Sequence, residues 1–237
     1  MMTTVTFLHF EQHKGAAFAA MGLLPPKLKG VHGLQFVKLM GSGRGPAFSL
    51  QPNWGRYCLL GVWTDGAAAN YFFDNHLVWK AYARKAASRL HFKLQPLSAK
   101  GTWNNLQPFV HNNDKPLPHT PVAVLTRASL QWTRLPSFWA HARRSTRQMP
   151  HEKDGLLFSA GIGEVPFLEQ ATFSVWQSLE QMMAFVTAPA HKEAVKLRHQ
   201  ERWYKEELFA RFAVMGVETE TPENFSALQP LMQFVIQ

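Results

Sequence analysis

Apolar residues recur along the chain with two periods. Short runs that alternate, or stay apolar throughout, have the pattern of strands. They predict strands at 3–10, 34–40, 57–63, 122–132, 156–162 and 171–176. Three- and four-residue spacing predicts helices at 14–21, stopped before Pro25-Pro26, and at 67–90, with Asp65 in the N-cap region. Further helices are predicted at 135–147 and at 179–203, the last with a break at Pro189. Residues 92–102 and 208–217 read as extended, the second after a last helical turn. Two stretches lack periodicity: the Gly-rich excursion at 41–55, and 104–121, whose Asn and Pro content reads as a linker.

After that linker the order restarts. GLQF at 33–36 is matched by GLLF at 155–158, and Phe10 and Trp132 each stand 23 residues before those glycines. Trp63 and Trp176 each close a strand that leads into a long helix, and the first half is longer by about nine residues, in the Gly-rich excursion. Each half reads strand-helix-strand-strand-helix-strand, the split pattern of a ferredoxin-like unit. The expected fold is therefore α+β, built of tandem ferredoxin-like repeats. The first repeat spans 1–103, the linker 104–121, the second repeat 122–221, and a C-terminal tail 222–237. Two such sheets packed face to face cover each other's apolar surface. The space between sheet and helices can then hold a large flat ligand.

Composition narrows the function classes. With 46% hydrophobic, 13% aromatic and 17% charged residues in 237, the chain can build a full core, which excludes long disorder. No run of 18 apolar residues occurs, so no transmembrane helix is expected. The N-terminal stretch lacks the basic flank and cleavable apolar run of a signal peptide. Cys58 is the single cysteine, which rules out an intrachain disulfide and makes a cytosolic setting the simplest expectation. A formal charge of +9 admits nucleic acid, an anionic membrane surface or an anionic cofactor as partner, beside the plain reading of a soluble basic protein. The densest basic cluster, Arg143, Arg144 and Arg147, is short and lacks a nucleic-acid-binding motif, so no nucleic-acid partner is expected.

Several residues are candidates for chemistry. The Gly41–Gly45 run resembles a phosphate loop, but Pro46 follows and no helix start is evident, which favours an edge loop or lid. Cys58, in YCLLGVW, is either a thiolate haem ligand or a structural cysteine, and nothing adjacent would lower its pKa. His9 and His13 stand four apart across a strand end, and His151 lies in a turn. His191 follows Pro189 in TAPAHKEAVKLRHQERW. At about 100° per residue, Val195, Arg198 and Arg202 fall on its helix face. An imidazole can ligate haem iron, and guanidiniums suit haem propionates. The same face also reads as a solvated one with Arg–Glu pairs, since Glu193, Glu201, Glu206 and Glu207 are near in sequence and the apolar centre of the helix, Ala190, Ala194 and Leu197, lies to one side of His191. Aligning Trp63 with Trp176 puts Val78 at the position of His191, so one haem per chain, in the second half, would be expected. Arg127, in VLTRASL, either faces inward with a partner, contacting an oxygen species or substrate, or sits on an exposed strand face.

Three long stretches, HEKDGLLFSAGIGEVPFLEQATFSVWQSLEQMMAF, AHKEAVKLRHQERWYKEELFARFAV and, in the first half, FVKLMGSGRGPAFSLQPNWGRYCLLGVWTD, together resemble the pattern of the spheroidene monooxygenase family. The resemblance covers most of the chain and is weakest in the 104–121 linker and the final twenty residues. It implies an oxygen-dependent hydroxylation and ketone formation on an acyclic carotenoid. It also implies haem b as cofactor, O2 as co-substrate, electrons from a reduced ferredoxin-type donor, and a dimeric α/β-barrel type of fold. The axial histidine of such folds lies on a C-terminal helix, which points to His191, with Arg198 and Arg202 toward the cofactor and Arg127 as a distal group. A long apolar substrate calls for a tunnel or a membrane-facing opening. Peripheral membrane contact, aided by positive charge, and a homo-oligomer are therefore expectations as well. Another haem enzyme on the same scaffold, such as a dehydratase or peroxygenase, and a non-catalytic haem or lipophile carrier remain open.

Overall fold

The computed structural model describes residues 1–45, 49–110, 120–148, 155–188, 201 and 203–220. The first half of the described chain forms β1 (Met2–His9), α1 (Lys14–Lys27), β2 (Leu34–Gly43), β3 (Pro52–Trp63), α2 (Gly66–Asn75), α3 (Leu77–Ala83) and β4 (Ser88–Gly101). The second half forms β5 (Val122–Leu130), a 3-10 turn (Trp132–Arg134), α4 (Leu135–Gln148), β6 (Leu156–Gly163), β7 (Glu169–Trp176), α5 (Leu179–Thr187) and β8 (Tyr204–Thr219). The strands pair antiparallel and close into a barrel in the order β1-β3-β2-β6-β7-β5-β8-β4, with the helices outside.

The architecture is α+β, and the strand-helix order read from the sequence recurs in both halves. The two sheets do not stack face to face, however. They join edge to edge, β4 with β8 from Leu90↔Thr219 to Gly101↔Leu208, and β2 with β6 at Gly41↔Gly163 and Ser42↔Ile162. Strand length is the cause. β4 and β8 run for 14 and 16 residues, and their free edges carry backbone donors and acceptors that closure satisfies. Every second residue then points into the barrel. Val5, Phe7, Leu60, Phe92, Leu125, Phe173 and Phe212 are among the buried side chains that fill it.

Local corrections to the sequence reading have physical causes. Helix α1 continues through Pro25 and Pro26, because Leu24 and Leu28 bury against the sheet and the final turn closes by shorter bonds, Leu28 N to Pro25 O at 3.1 Å and Lys29 N to Pro26 O at 3.3 Å. The helix expected over 67–90 is two helices broken at His76, whose extended backbone and Nδ1 cap α3 at Trp79 N. It ends before Ser88 because β1 takes residues 88–94 as its strand partner. β8 starts at Tyr204 with no preceding turn of helix in 204–208, because Glu206 and Leu208 pair with Ser129 and Arg127. Asp65 caps α2 as expected, its Oδ1 accepting from Ala68 N at 2.8 Å. Among the described residues, no helix is long and apolar enough to cross a membrane.

Candidate functional site

Arg127 resolves one alternative left by the sequence. Its neighbours Ala123 and Leu125 fill the barrel, and with the two-residue period Arg127 also points inward, 1% exposed. A buried guanidinium needs anionic partners. Nη1 pairs with Glu206 Oε2, and Nη2 reaches Glu169 Oε1 at 3.4 Å and Asn104 Oδ1 at 3.3 Å. The guanidinium lies over the Trp103 ring, 5.5 Å from its centroid. Trp103 Nε1 donates to Glu164 Oε1 at 2.6 Å, and Lys38 pairs with the other oxygen of Glu164. A chain of charges thus closes one end of the barrel.

Glu206 organises the cover over that end. Besides Arg127 it accepts from Thr102 Oγ1 at 2.8 Å, Asn104 N at 3.0 Å and Asn105 N at 2.7 Å. Asn104 and Asn105 both adopt left-handed backbone, with φ of 53° and 61°, which asparagine tolerates better than most residues. Burial opposes ionisation of Glu206, but these donors outweigh it and bring its carboxyl down to about 2. Gly101 has φ of 92°, and a Cβ there would meet Glu207 O at 2.1 Å. Gly101→Ala is expected to destabilise the protein by about 2 kcal/mol or more, read as a lowered urea midpoint; an unchanged midpoint would show that the turn can shift freely.

The outer faces of the two halves differ. Trp63 pairs with Met2 as Trp176 pairs with Val122, so positions can be compared by counting from the tryptophans. In the first half the central outward positions are Thr6, Leu39 and Leu59, all buried under α1, α2 and α3, which bring Leu24, Phe72, Trp79 and Tyr82 onto the sheet. At the corresponding places in the second half stand Thr126, Gly161 and Thr172, flanked by Ser159 and Ser174, and the Thr and Ser side chains are only half-buried. Among the described residues, cover there comes in two separate patches. Phe138 and Trp139 of α4 pack with Leu130 and Trp203 at one side, and Met182 of α5 packs with Val122 and Trp176 at the other. Between the patches β8 presents Arg211, whose Nε donates to Ser98 Oγ at 3.1 Å, and Phe209, 39% exposed. The sequence reading missed Arg211, Thr126, Thr172 and the two serines. The available signal was Gly161 and Thr172 at outward positions of β6 and β7 where β2 and β3 carry Leu39 and Leu59, with Ser159 in the place of Val37.

His91 marks the first half as filled. It stands where the second half has Phe209, is 3% exposed, contacts Thr6 Oγ1 through Nδ1 at 2.7 Å, and meets the Phe73 ring edge-on at 4.4 Å. Burial chiefly drives its pKa down to about 4, with Glu218 opposing and Lys93 and Arg89 reinforcing the shift. A depressed histidine contributes stability that is complete above its unfolded value near 6.5 and is lost as pH falls toward about 4. The urea midpoint should therefore drop across that window, and His91→Phe should flatten the drop; a variant with the unaltered slope would put the acid sensitivity elsewhere.

The other candidates divide clearly. Cys58 is fully buried inside the barrel, and burial pushes its thiol well above the usual range, which fits the structural reading. The Gly41–Gly45 run ends β2 and enters a turn back to β3, Arg44 N bonding Gln51 O at 2.8 Å. Among the described residues, no group of three or more His, Cys, Asp or Glu side chains could hold a metal. His151, His191, Arg198 and Arg202 lie outside the described residues.

Comparison with known proteins adds to this geometry. No family model matches the chain. It is 37% identical over 187 residues to spheroidene monooxygenase of Rhodobacter capsulatus, covering 78% of this chain and 77% of that protein. It is 35% identical over 219 residues to spheroidene monooxygenase of Cereibacter sphaeroides, covering 90% and 66%. It is 34% identical over 190 residues to spheroidene monooxygenase of Rubrivivax gelatinosus, covering 80% and 72%. Among solved structures the fold is similar to aldoxime dehydratase in complex with butyraldoxime, with a TM-score of 0.59 at 11% identity over 90% of this chain and 79% of that one. Identity at this level with three relatives over most of the chain, on a barrel of this kind, makes the chain an oxidoreductase that belongs to the spheroidene monooxygenase family.

Proposed function

We propose that the protein is a haem-dependent monooxygenase that oxidises a long apolar, carotenoid-like substrate with O2 and electrons from a reduced ferredoxin-type donor. The halves are read as two copies of one ferredoxin-like unit, of which only the second keeps a ligand face. The observation that carries this reading is the contrast between the outer faces. The first is filled by Trp79, Phe72 and Tyr82, while the second offers half-buried Thr126, Thr172, Ser159 and Ser174 between two apolar patches. A flat macrocycle needs such a face, with apolar borders for its ring and cations for its carboxylates.

The segment 189–202, which joins α5 to Trp203, carries His191, Arg198 and Arg202. In this reading His191 would ligate the haem iron, Arg198 and Arg202 would hold its carboxylates, and Arg211 would add a further cation at the sheet. When bound, haem b supplies the activation of oxygen, and the protein supplies binding and orientation. Arg127, held by Glu206 and Glu169 inside the barrel, acts in our reading by fixing the barrel end rather than by touching oxygen. The substrate class follows the names of the three relatives.

Purified protein supplied with haem should show a Soret band. His191→Ala should shift that band and weaken haem binding roughly tenfold or more. No haem uptake by the wild type would sink the proposal, whereas an unaltered band in the variant would sink His191 alone. Turnover that requires both O2 and a reductant separates a monooxygenase from a dehydratase or peroxygenase on the same scaffold.

A further inference from the structure

We propose that the protein docks on an anionic lipid surface through an apolar tip made by the 3-10 turn after β5 and the β6–β7 turn. Trp132 on the first turn is 77% exposed, and Val165 and Phe167 on the second are 43% and 45% exposed. Trp132 and Val165 border one open cleft of about 540 Å³, which Leu130 and Leu168 also line and Lys205 and Glu169 flank. Phe167 leans edge-on against Trp139 of α4, with centroids 6.2 Å apart, so the tip is continuous with that helix.

The conformation of Phe167 is a second, independent observation. Its φ is 67°, a left-handed backbone that glycine adopts freely and a bulky residue adopts only at a cost. Main-chain bonds hold the turn in that form: Leu168 N to Val165 O at 3.2 Å, Glu169 N to Val165 O at 3.0 Å, and Leu130 N to Leu168 O at 2.8 Å. A strained phenylalanine whose ring is nearly half in water contributes little to the core. Retaining it there is explained if the ring has an apolar phase to enter.

Charge selects the lipid. Exposed Arg134 and Lys205 flank the tip. Two of the nearby carboxylates are paired with cations, Glu164 with Lys38 and Glu169 with Arg127. Exposed aromatic side chains beside cations match the interfacial zone of a bilayer and the negative potential of its anionic lipids. The choice of a lipid surface over a protein partner rests on the apolar substrate proposed above, since such a substrate is dissolved in membrane and the cleft would open onto it.

The test is co-sedimentation with vesicles of phosphatidylcholine alone and of phosphatidylcholine with phosphatidylglycerol, at low and high salt. The wild type is expected to bind the mixed vesicles, more weakly as salt rises. Trp132→Ser combined with Phe167→Gly should reduce that binding about tenfold or more with no loss of thermal stability, since glycine suits the turn. Trp54→Ser, which alters an exposed tryptophan on β3, should leave binding unchanged. Absence of vesicle binding, equal binding to neutral vesicles, or full binding by the double variant would overturn the proposal. So would a wild-type oligomer in sedimentation that the double variant disperses, which would assign the tip to a second copy of the chain. None of these readouts needs haem or turnover, so a failed oxygenase reading and a failed docking surface are distinguishable.

Discussion

Arg127→Ala is expected to cost about 3 kcal/mol of stability, because it removes the buried guanidinium that two partly buried carboxylates share. Glu206 and Glu169 are 16% and 24% exposed, and both lean on this one guanidinium. The variant also removes the cation over Trp103, whose indole is fully buried. Urea unfolding measures the loss, and Arg127→Met combined with Glu206→Gln should recover part of it by removing charge from both sides. A loss below about 1 kcal/mol, the size of an exposed pair, would mean that water enters this end. The pH dependence has a defined sign. The donors around Glu206 favour its charged form, so their contribution is complete above the ordinary carboxylate value and fades as pH falls toward about 2. Arg127→Ala should shrink that acid-dependent part of the stability as well as lower the midpoint at neutral pH.

The combination Ser159→Leu and Thr172→Phe is expected to weaken haem binding about a hundredfold, equivalent to about 2.7 kcal/mol, while the barrel still folds. These substitutions give the second half the bulk that Val37 and Leu59 give the first at the matching places. Both positions are half-buried on the outer face, and Leu and Phe suit a pleated surface packed by helices. Titration of haem into the purified variant, followed by absorbance, measures the change, and circular dichroism checks the fold. Undiminished affinity would place the haem away from this face and remove the observation on which the proposed function rests. Full loss of folding would be answered by Thr172→Val, which keeps the volume and should bind haem normally.

Much of the local structure could be read from spacing. The strands at 3–10, 34–40 and 171–176 agree with β1, β2 and β7 to within a few residues, and Asp65 caps α2 as its position implied. Local rules failed where distant partners set the outcome. α1 passes through two prolines because Leu24 and Leu28 have a sheet to bury against. The predicted helix over 67–90 gives up its last residues because β1 needs a partner. For Arg127 the sequence left inward and outward readings open, and its contacts with Glu206 and Glu169, distant in sequence, decided for inward.

The sequence by itself determined the element order and the placement of apolar residues, and its long family-like stretches carried the resemblance to spheroidene monooxygenase that three relatives then bore out. Those properties are written in neighbouring residues, since period and motif are local. Only the tertiary structure decided that the sheets close edge to edge, that Arg127, Trp103, Glu164 and Glu206 meet at one barrel end, and that one outer face is filled while the other is lined with small polar side chains. These depend on register between strands far apart in the chain. A shift of one residue would turn every inward side chain outward, and register is set by the summed packing and hydrogen bonding of the whole barrel.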